Sequence, residues 1–580
     1  MRVRLGPQDY DTFGNMLRWS AEADTRKFIR IHRATGHLPK KYELGINAAV
    51  LSLARERFGA NGVVSCGDGI RAPRVVRRRG TDLVCMRFEA DASKWPAAIK
   101  LPRTVAHTRL IIAIMRRLQW LSAEVHTEQL RCLTDRSQPS ITYAIIPEAS
   151  AGNSGILLLK YWWMCMASCS SACIMLKDFV TDMCSVGLLA AFLLMTPTQE
   201  MVDMGCSHVG LPSDDYPYYD LFCEPKRTFV GFGYGVQINP LPHGWWPDNP
   251  HLVRLLRKNL ENLSHLVFFC LKVGEIQGAM VAHFGCMRLL SQNRLSVGFG
   301  LGDIVNINSF ADQKNDATYN MISMRVINLL KQVYPSDKAT ILALESFHFL
   351  GEVFRNKCFT NAKLAVMYLW RCDTIWELQE RYIKHVAQLP QPSDFLPSPQ
   401  FRWAVKMAAC KGTNHFLAYH LPAVSRPPYG RHLSWTTCSV AEANNDELEG
   451  THSAGRARKG NDTNFDVAQW LGLETLSDLK RVLQKEGHTF GAPKNTKATH
   501  QCSITSLGQF EDDDDSAKSL FAYYPPQAYK DFMDDMLEAR EEGIAWGRER
   551  YIAAFGEACR EQFIEAGQWE VNEYVVPERL

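Results

Sequence analysis

The chain has 580 residues, 65 of them basic and 62 acidic, for a net charge of +3, and 46% of it is hydrophobic. This is globular composition with ample length for a sizeable core. The near balance of charge excludes a general attraction to nucleic acid, so any polyanion contact has to be local. The 17 cysteines, with no apolar h-region in Met1–Tyr10, point to free, buried thiols in a reducing compartment rather than to a secreted disulfide framework.

Residues 1–100 read as a mixed region in which short strand-like pieces such as Asp82–Phe88 alternate with loops. A basic cluster stands here: Arg71, Arg74, Arg77, Arg78 and Arg79, in IRAPRVVRRRG. It is the candidate contact for RNA phosphates or for an acidic neighbouring subunit. No aromatic residues interleave with it for base stacking, and a solvated loop is its ordinary reading. Residues 107–129 predict one amphipathic helix, because Leu110, Ile114, Leu118, Leu121 and Val125 recur at helical spacing. Ile141–Ile146 reads as a strand.

Residues 156–195 are strongly apolar, but Lys160, Lys177, Asp178 and Asp182 interrupt them. A membrane-spanning helix needs about 20 predominantly apolar residues, so this stretch predicts a buried helix pair and no membrane contact. Cys165, Cys169 and Cys173 form one helical stripe whose outer members are two turns apart; they read as small core hydrophobes and not as a zinc site.

Asn249 and Pro250 predict a helix start. Residues 251–273 then read as one helix, broken at Gly274, and 277–290 as a second. Helices are also expected over 318–332, 340–355 and 361–388. The proline-rich linker 389–401 marks a boundary, and 402–420 reads as helix, turn, then strand. Residues 440–465 predict an exposed polar loop, and the acidic run Glu511–Asp515 a solvated face. The last 55 residues look helical, with Gly543 and Gly547 as weak points. Three regions follow: 1–100 mixed and basic, 101–390 a helical core, and 391–580 a C-terminal region with an exposed loop and terminal helices.

Chemistry-bearing motifs are scarce. The glycine clusters at 231–235 and 298–303 do not complete a dinucleotide fingerprint, and there is no P-loop, no GxSxG and no HExxH. The histidines show no metal-ligand spacing, and Asp214 and Asp215 alone mean little. These absences predict no catalytic residues, no metal and no cofactor, and so a structural or assembly protein rather than an enzyme. The alternatives are a soluble helical enzyme or scaffold with an unrecognised site, and an RNA-binding protein using Arg71–Arg79.

Two segments carry a family resemblance. The first is the helix expected over 107–129, ending in Thr127, Glu128 and Gln129. The second is Phe179, a helix from Cys184 to Met195, then Pro197, Glu200 and Tyr216–Pro217. Together they resemble the capsid (Gag) protein of totiviruses, the double-stranded RNA viruses of fungi and protozoa. The resemblance implies a large single plate of α+β class, predominantly α-helical. About 60 asymmetric dimers would close an icosahedral shell. The implied partners are copies of the chain itself, with the viral double-stranded RNA and the viral RNA-dependent RNA polymerase inside the particle. The implied location is the virion, in host cytoplasm. Yeast relatives carry a histidine after the Thr-Glu-Gln helix that accepts a messenger RNA cap. Residues 130–155 contain no histidine, and His126 falls on the expected helix, so no cap transfer is implied.

Overall fold

The computed structural model describes residues 30–34, 38–39, 42, 45–59, 63–71, 77–79, 82–84, 98–100, 102–117, 124–132, 138–148, 155–174, 176–182, 184–195, 218–220, 234–238, 241–261, 267–270, 280–298, 301, 305, 315–355, 362–389, 391–420, 448, 474, 477–479, 481–483 and 529–569. In chain order the elements begin with β1 (Gly45–Ile46) and α1 (Ala48–Phe58), then β2 (Val63–Arg71), β3 (Arg77–Arg79), β4 (Asp82–Val84) and β5 (Ala98–Lys100). The Asn47 side chain caps α1 by accepting from the Ala49 and Val50 amides at 3.1 and 3.3 Å. Next come α2 (Val105–Arg117), β6 (Glu124–Cys132), β7 (Ile141–Glu148), α3 (Gly155–Ser171), β8 (Leu176–Thr181) and α4 (Ser185–Met195). The middle of the chain supplies β9 (Tyr218–Asp220), β10 (Tyr234–Ile238), β11 (Leu241–Pro247), α5 (Asn249–Glu261), β12 (Val267–Cys270), β13 (Met280–Ala282) and α6 (Gly285–Ser291). Helices follow: α7 (Asn315–Met321), α8 (Met324–Val333), α9 (Lys338–Arg355), α10 (Ala362–Arg381), α11 (Pro399–His420), α12 (Tyr529–Phe555) and α13 (Glu557–Glu565).

The fold is α+β, mostly helical, around a mixed sheet of order β1-β7-β6-β2-β8-β11-β10-β9. Its centre is parallel: β2 pairs with β8, and β8 with β11, in the same direction. Antiparallel strands flank this centre, β6, β7 and β1 on one side and β10 and β9 on the other. Parallel strands are buried on both faces and need helical crossovers. Here α3 separates β7 from β8, and Trp162 of α3 stacks on Phe179 of β8 at 4.8 Å between centroids. Phe179 shares its row with Ser65 and Trp245, whereas Trp246 belongs to the next row and points to the other face. There it meets Phe354 of α9 edge-on at 5.4 Å.

Several sequence expectations change here. Residues 107–129 are not one helix. The helix stops at Arg117, and Thr127, Glu128 and Gln129 lie in the middle of strand β6. Val125 and Leu130 are buried as a helical stripe would require, but so are the polar residues between them. The strand is enclosed on both faces, which removes the polar–apolar alternation that announces a half-exposed strand. His126 is therefore a strand residue as well. Its Nε2 lies 2.9 Å from the buried Glu128 Oε1, and Glu128 also accepts from the Ser65 hydroxyl. The helix pair of 156–195 is present as α3 and α4, with strand β8 between them.

Residues 251–273 divide into α5 and β12, and 277–290 into β13 and α6. The two short strands pair with each other, so β-branched and aromatic runs such as Val267–Cys270 find ladder partners. Residues 402–420 lie in one continuous helix, α11. The proline-rich stretch before it is tied down: Leu389, Phe395 and Leu396 pack against the core, and the Ser398 amide donates to Asn259 Oδ1 at 3.0 Å. Gly543 and Gly547 do not weaken α12. Added Cβ atoms there would lie 2.6 Å from the Met367 carbonyl oxygen and 2.8 Å from Thr374 Cβ, so the two glycines are what let α12 cross α10 this closely.

Among the described residues no helix is long and apolar enough to cross a membrane. The described cysteines are free; Cys165 and Cys169 are buried in α3, and burial pushes both thiols up. Of the exposed loop expected at 440–465 only the buried Leu448 is described, and Glu511–Asp515 lies outside the described residues.

Candidate metal centre

The last paired row of the parallel centre is Gly67, Thr181 and Pro247, one residue from each of β2, β8 and β11. The next residue on each strand is an aspartate: Asp68, Asp182 and Asp248. Three carboxylates thus follow one another across three neighbouring strands, at the carboxyl edge where parallel sheets present their ligands. Asp68 and Asp182 both act electrostatically on Cys184, whose thiol is pushed up by burial first and by these two carboxylates in addition.

Helix α5 starts immediately after β11 and completes the cluster. Asp248 accepts the His251 and Leu252 amides through its carbonyl, at 3.1 and 3.2 Å. This first turn swings His251 back over the strand ends. His251 Nδ1 lies 3.2 Å from Asp182 Oδ1 and is hydrogen-bonded to Asp248 Oδ2. One ligand atom from each of Asp182, Asp248 and His251 falls within 4.8 Å of the others. The Asp248 side chain is 1% exposed, whereas Asp182 is 36% and His251 29% exposed. The cluster is therefore anchored inside and open on one side. Arg254 Nη2 is 2.9 Å from the His251 ring nitrogens.

The strand ends are held in place by buried bonds. The Asp248 amide donates to the Thr181 carbonyl at 3.1 Å. Trp245 Nε1 donates to Thr181 Oγ1 at 2.9 Å, and Trp246 Nε1 to Asp178 Oδ2 at 3.2 Å. Gly187, in the first turn of α4, approaches closely: a Cβ would come within 2.8 Å of the Asp182 carbonyl oxygen and 3.0 Å of Thr181 Oγ1. Gly67 has the same character on β2, where a Cβ would meet Glu128 Oε1 at 2.5 Å.

Carboxylate oxygens converging with one imidazole suit a hard divalent cation such as Mg²⁺ or Mn²⁺. Asp248 and His251, three apart across a strand-to-helix junction, are a pair that the reading of the histidine spacing did not single out. That spacing was the one local signal available. Asp68 and Asp182 are 114 residues apart, and only the sheet brings them together.

Of the arginines singled out from the sequence, Arg71 lies on a strand of this sheet. Arg71 ends β2, in register with Glu124 of β6. Arg77, Arg78 and Arg79 form β3, a strand of a second, three-stranded sheet rather than a loop, with Arg79 in the same row as Asp82 and the exposed Lys100. Arg74, Asp214 and Asp215 lie outside the described residues.

No protein-family model matches the chain, and no curated protein matches it either. Among solved structures, a chain from the Drosophila P element transposase strand transfer complex is similar with a TM-score of 0.47 and 12% sequence identity, over 84% of this chain and 94% of that one. A likeness at that level does not establish a shared function or family.

Proposed function

We propose that the chain is a divalent-metal-dependent enzyme that cleaves phosphodiester bonds in nucleic acid. The observation that carries this reading is the convergence of Asp182, Asp248 and His251 within 4.8 Å of one another just past the ends of the parallel strands β8 and β11, with Asp68 following Gly67 on the adjacent strand β2. Asp182, Asp248 and His251 would hold a divalent cation, which would supply Lewis acidity for hydrolysis of a phosphodiester. Nucleic acid is favoured as the substrate by the basic residues that follow Asp68 in the chain. Arg71 stands three residues beyond Asp68 on β2. The five residues between Arg71 and Arg77 span at most about 20 Å. The arginines of β3 are thus within roughly one turn of a duplex from the site.

The test is direct. The purified chain is incubated with end-labelled single- and double-stranded DNA and RNA, with Mg²⁺ or Mn²⁺ and with chelator. Cleavage of at least one substrate with metal, and none with chelator, is expected. If no substrate is cut and no Mn²⁺ binds, the reading fails.

A second reading is the shell-forming capsid protein implied by the family resemblance, which would assemble with copies of itself around double-stranded RNA. The observation in its favour is α2, where Val105, Leu110 and Ile114 are exposed, as in an apolar surface that awaits a neighbour. Electron microscopy of the expressed chain then shows closed particles of roughly 40 nm. A strict monomer at high concentration removes this reading.

A further inference from the structure

We infer that Thr181 is a positioning residue of the metal centre: it sets the spacing of Asp182 and Asp248 through its hydrogen bond with Trp245. This rests on the proposed metal-dependent function and adds to it a residue that touches neither cation nor substrate. Thr181 precedes Asp182 and is 4% exposed. It connects the strands that bear the aspartates. Its carbonyl accepts the Asp248 amide, which ties the β8 end to the β11 end. Its hydroxyl accepts from the indole of the fully buried Trp245, three residues before Asp248. Its row places it between Gly67, the neighbour of Asp68, and Pro247, the neighbour of Asp248. The first turn of α4 closes over it at Gly187.

The main-chain bond fixes the two strands next to each other. The ladder of β8 and β11 sets their register, and the side-chain bond adds a second tie at the strand ends that steadies where the Asp248 carboxylate stands relative to Asp182. Groups that orient metal ligands in this way typically contribute 10–100-fold to affinity.

The experiment compares the full-length chain with Thr181→Val, Trp245→Phe and Thr181→Ser. Mn²⁺ affinity and the electron paramagnetic resonance spectrum of the bound ion are measured, and circular dichroism establishes that each variant is folded. Thr181→Val and Trp245→Phe should each weaken Mn²⁺ binding about tenfold and alter the zero-field splitting of the bound ion. Their combination should add little, since both remove one bond. Thr181→Ser keeps the acceptor and should stay within about twofold of the parent. If Trp245→Phe is folded and its affinity and spectrum match those of the parent, Thr181 is only a packing residue and the inference is overturned. A parent chain that binds no Mn²⁺ overturns the metal centre itself, an outcome distinct from normal binding in the parent and unchanged binding in the variants.

Discussion

Asp182→Asn is expected to lower metal-dependent phosphodiester cleavage by about 10³-fold, equivalent to about 4 kcal/mol of lost transition-state stabilisation. Asn keeps the shape of the side chain but removes the negative charge that holds a cation. Because Asp182 is 36% exposed, the fold does not depend on it, and the melting temperature should stay near that of the parent. Asp248→Asn should lose activity to a similar degree. The double variant Asp182→Asn/Asp248→Asn should be no slower than about the slower single variant, since groups that act as one unit are not additive. Initial rates at saturating Mn²⁺ measure this. A rate for Asp182→Asn close to that of the parent, at any Mn²⁺ concentration, would mean that the carboxylate row is not where the chemistry occurs. Asp248 is the most buried of the three, so its variant carries the largest structural cost and is the least clean of the set.

The second large effect lies outside the carboxylate cluster, at Arg402 of α11. Its guanidinium is buried and faces three carboxylates of α10. Nη1 lies 2.5 Å from Asp373, Nη2 pairs with Glu377, and Nε donates to Glu380 at 3.0 Å. Lys406 adds a contact to Glu377 at 3.4 Å. Burial alone pushes the Glu377 carboxyl up, but Arg402, Lys406 and Arg381 outweigh it and hold it well below the usual carboxylate range. Glu380 is shifted the same way, with Arg402 and Lys384 opposing burial. Arg402→Met keeps much of the volume and leaves these carboxylates without their main partner, which should cost about 3–5 kcal/mol. The denaturant midpoint reads this out.

The pH dependence has a defined sign. In the parent the folded carboxylates titrate below their unfolded value of about 4.3, so their stabilisation is complete above that pH and is lost as the pH falls through the lowered folded values. In Arg402→Met the main lowering influence is lost and only Lys406, Arg381 and Lys384 still oppose burial, so acidification costs the variant less than the parent. The gap between parent and variant should therefore be widest near neutrality and narrow toward pH 4. A gap that does not change with pH would show that Arg402 stabilises through packing alone.

The helical half of the molecule was largely legible in the sequence. The stripe of Val326, Ile327, Leu329 and Leu330 in α8 and the long apolar faces of α9 and α10 follow the 3.6-residue period, because each helix buries one side against its neighbours. The β-sheet was not legible in the same way. Strands β2, β6 and β8 carry Ser65, Glu128 and Asp178 inside, each satisfied by a partner from elsewhere in the chain. A polar residue that is buried and paired cannot be told from an exposed one by composition alone. Helical spacing therefore extends through Glu124–Gln129, and the Thr-Glu-Gln of the resemblance, expected at a helix end, lies mid-strand.

Composition and periodicity by themselves determined that this is a globular chain of many helices, with a basic cluster at Arg71–Arg79 and with charges that interrupt the apolar stretch 156–195. Only the tertiary structure decided what those charges do. Asp182 looked like an interruption of an apolar run. The parallel pairing of β2, β8 and β11 brings it level with Asp68 and Asp248, which lie 114 residues before it and 66 after it. Strand register is set by long-range hydrogen bonds and by side-chain packing on both faces, so no local window of sequence contains it.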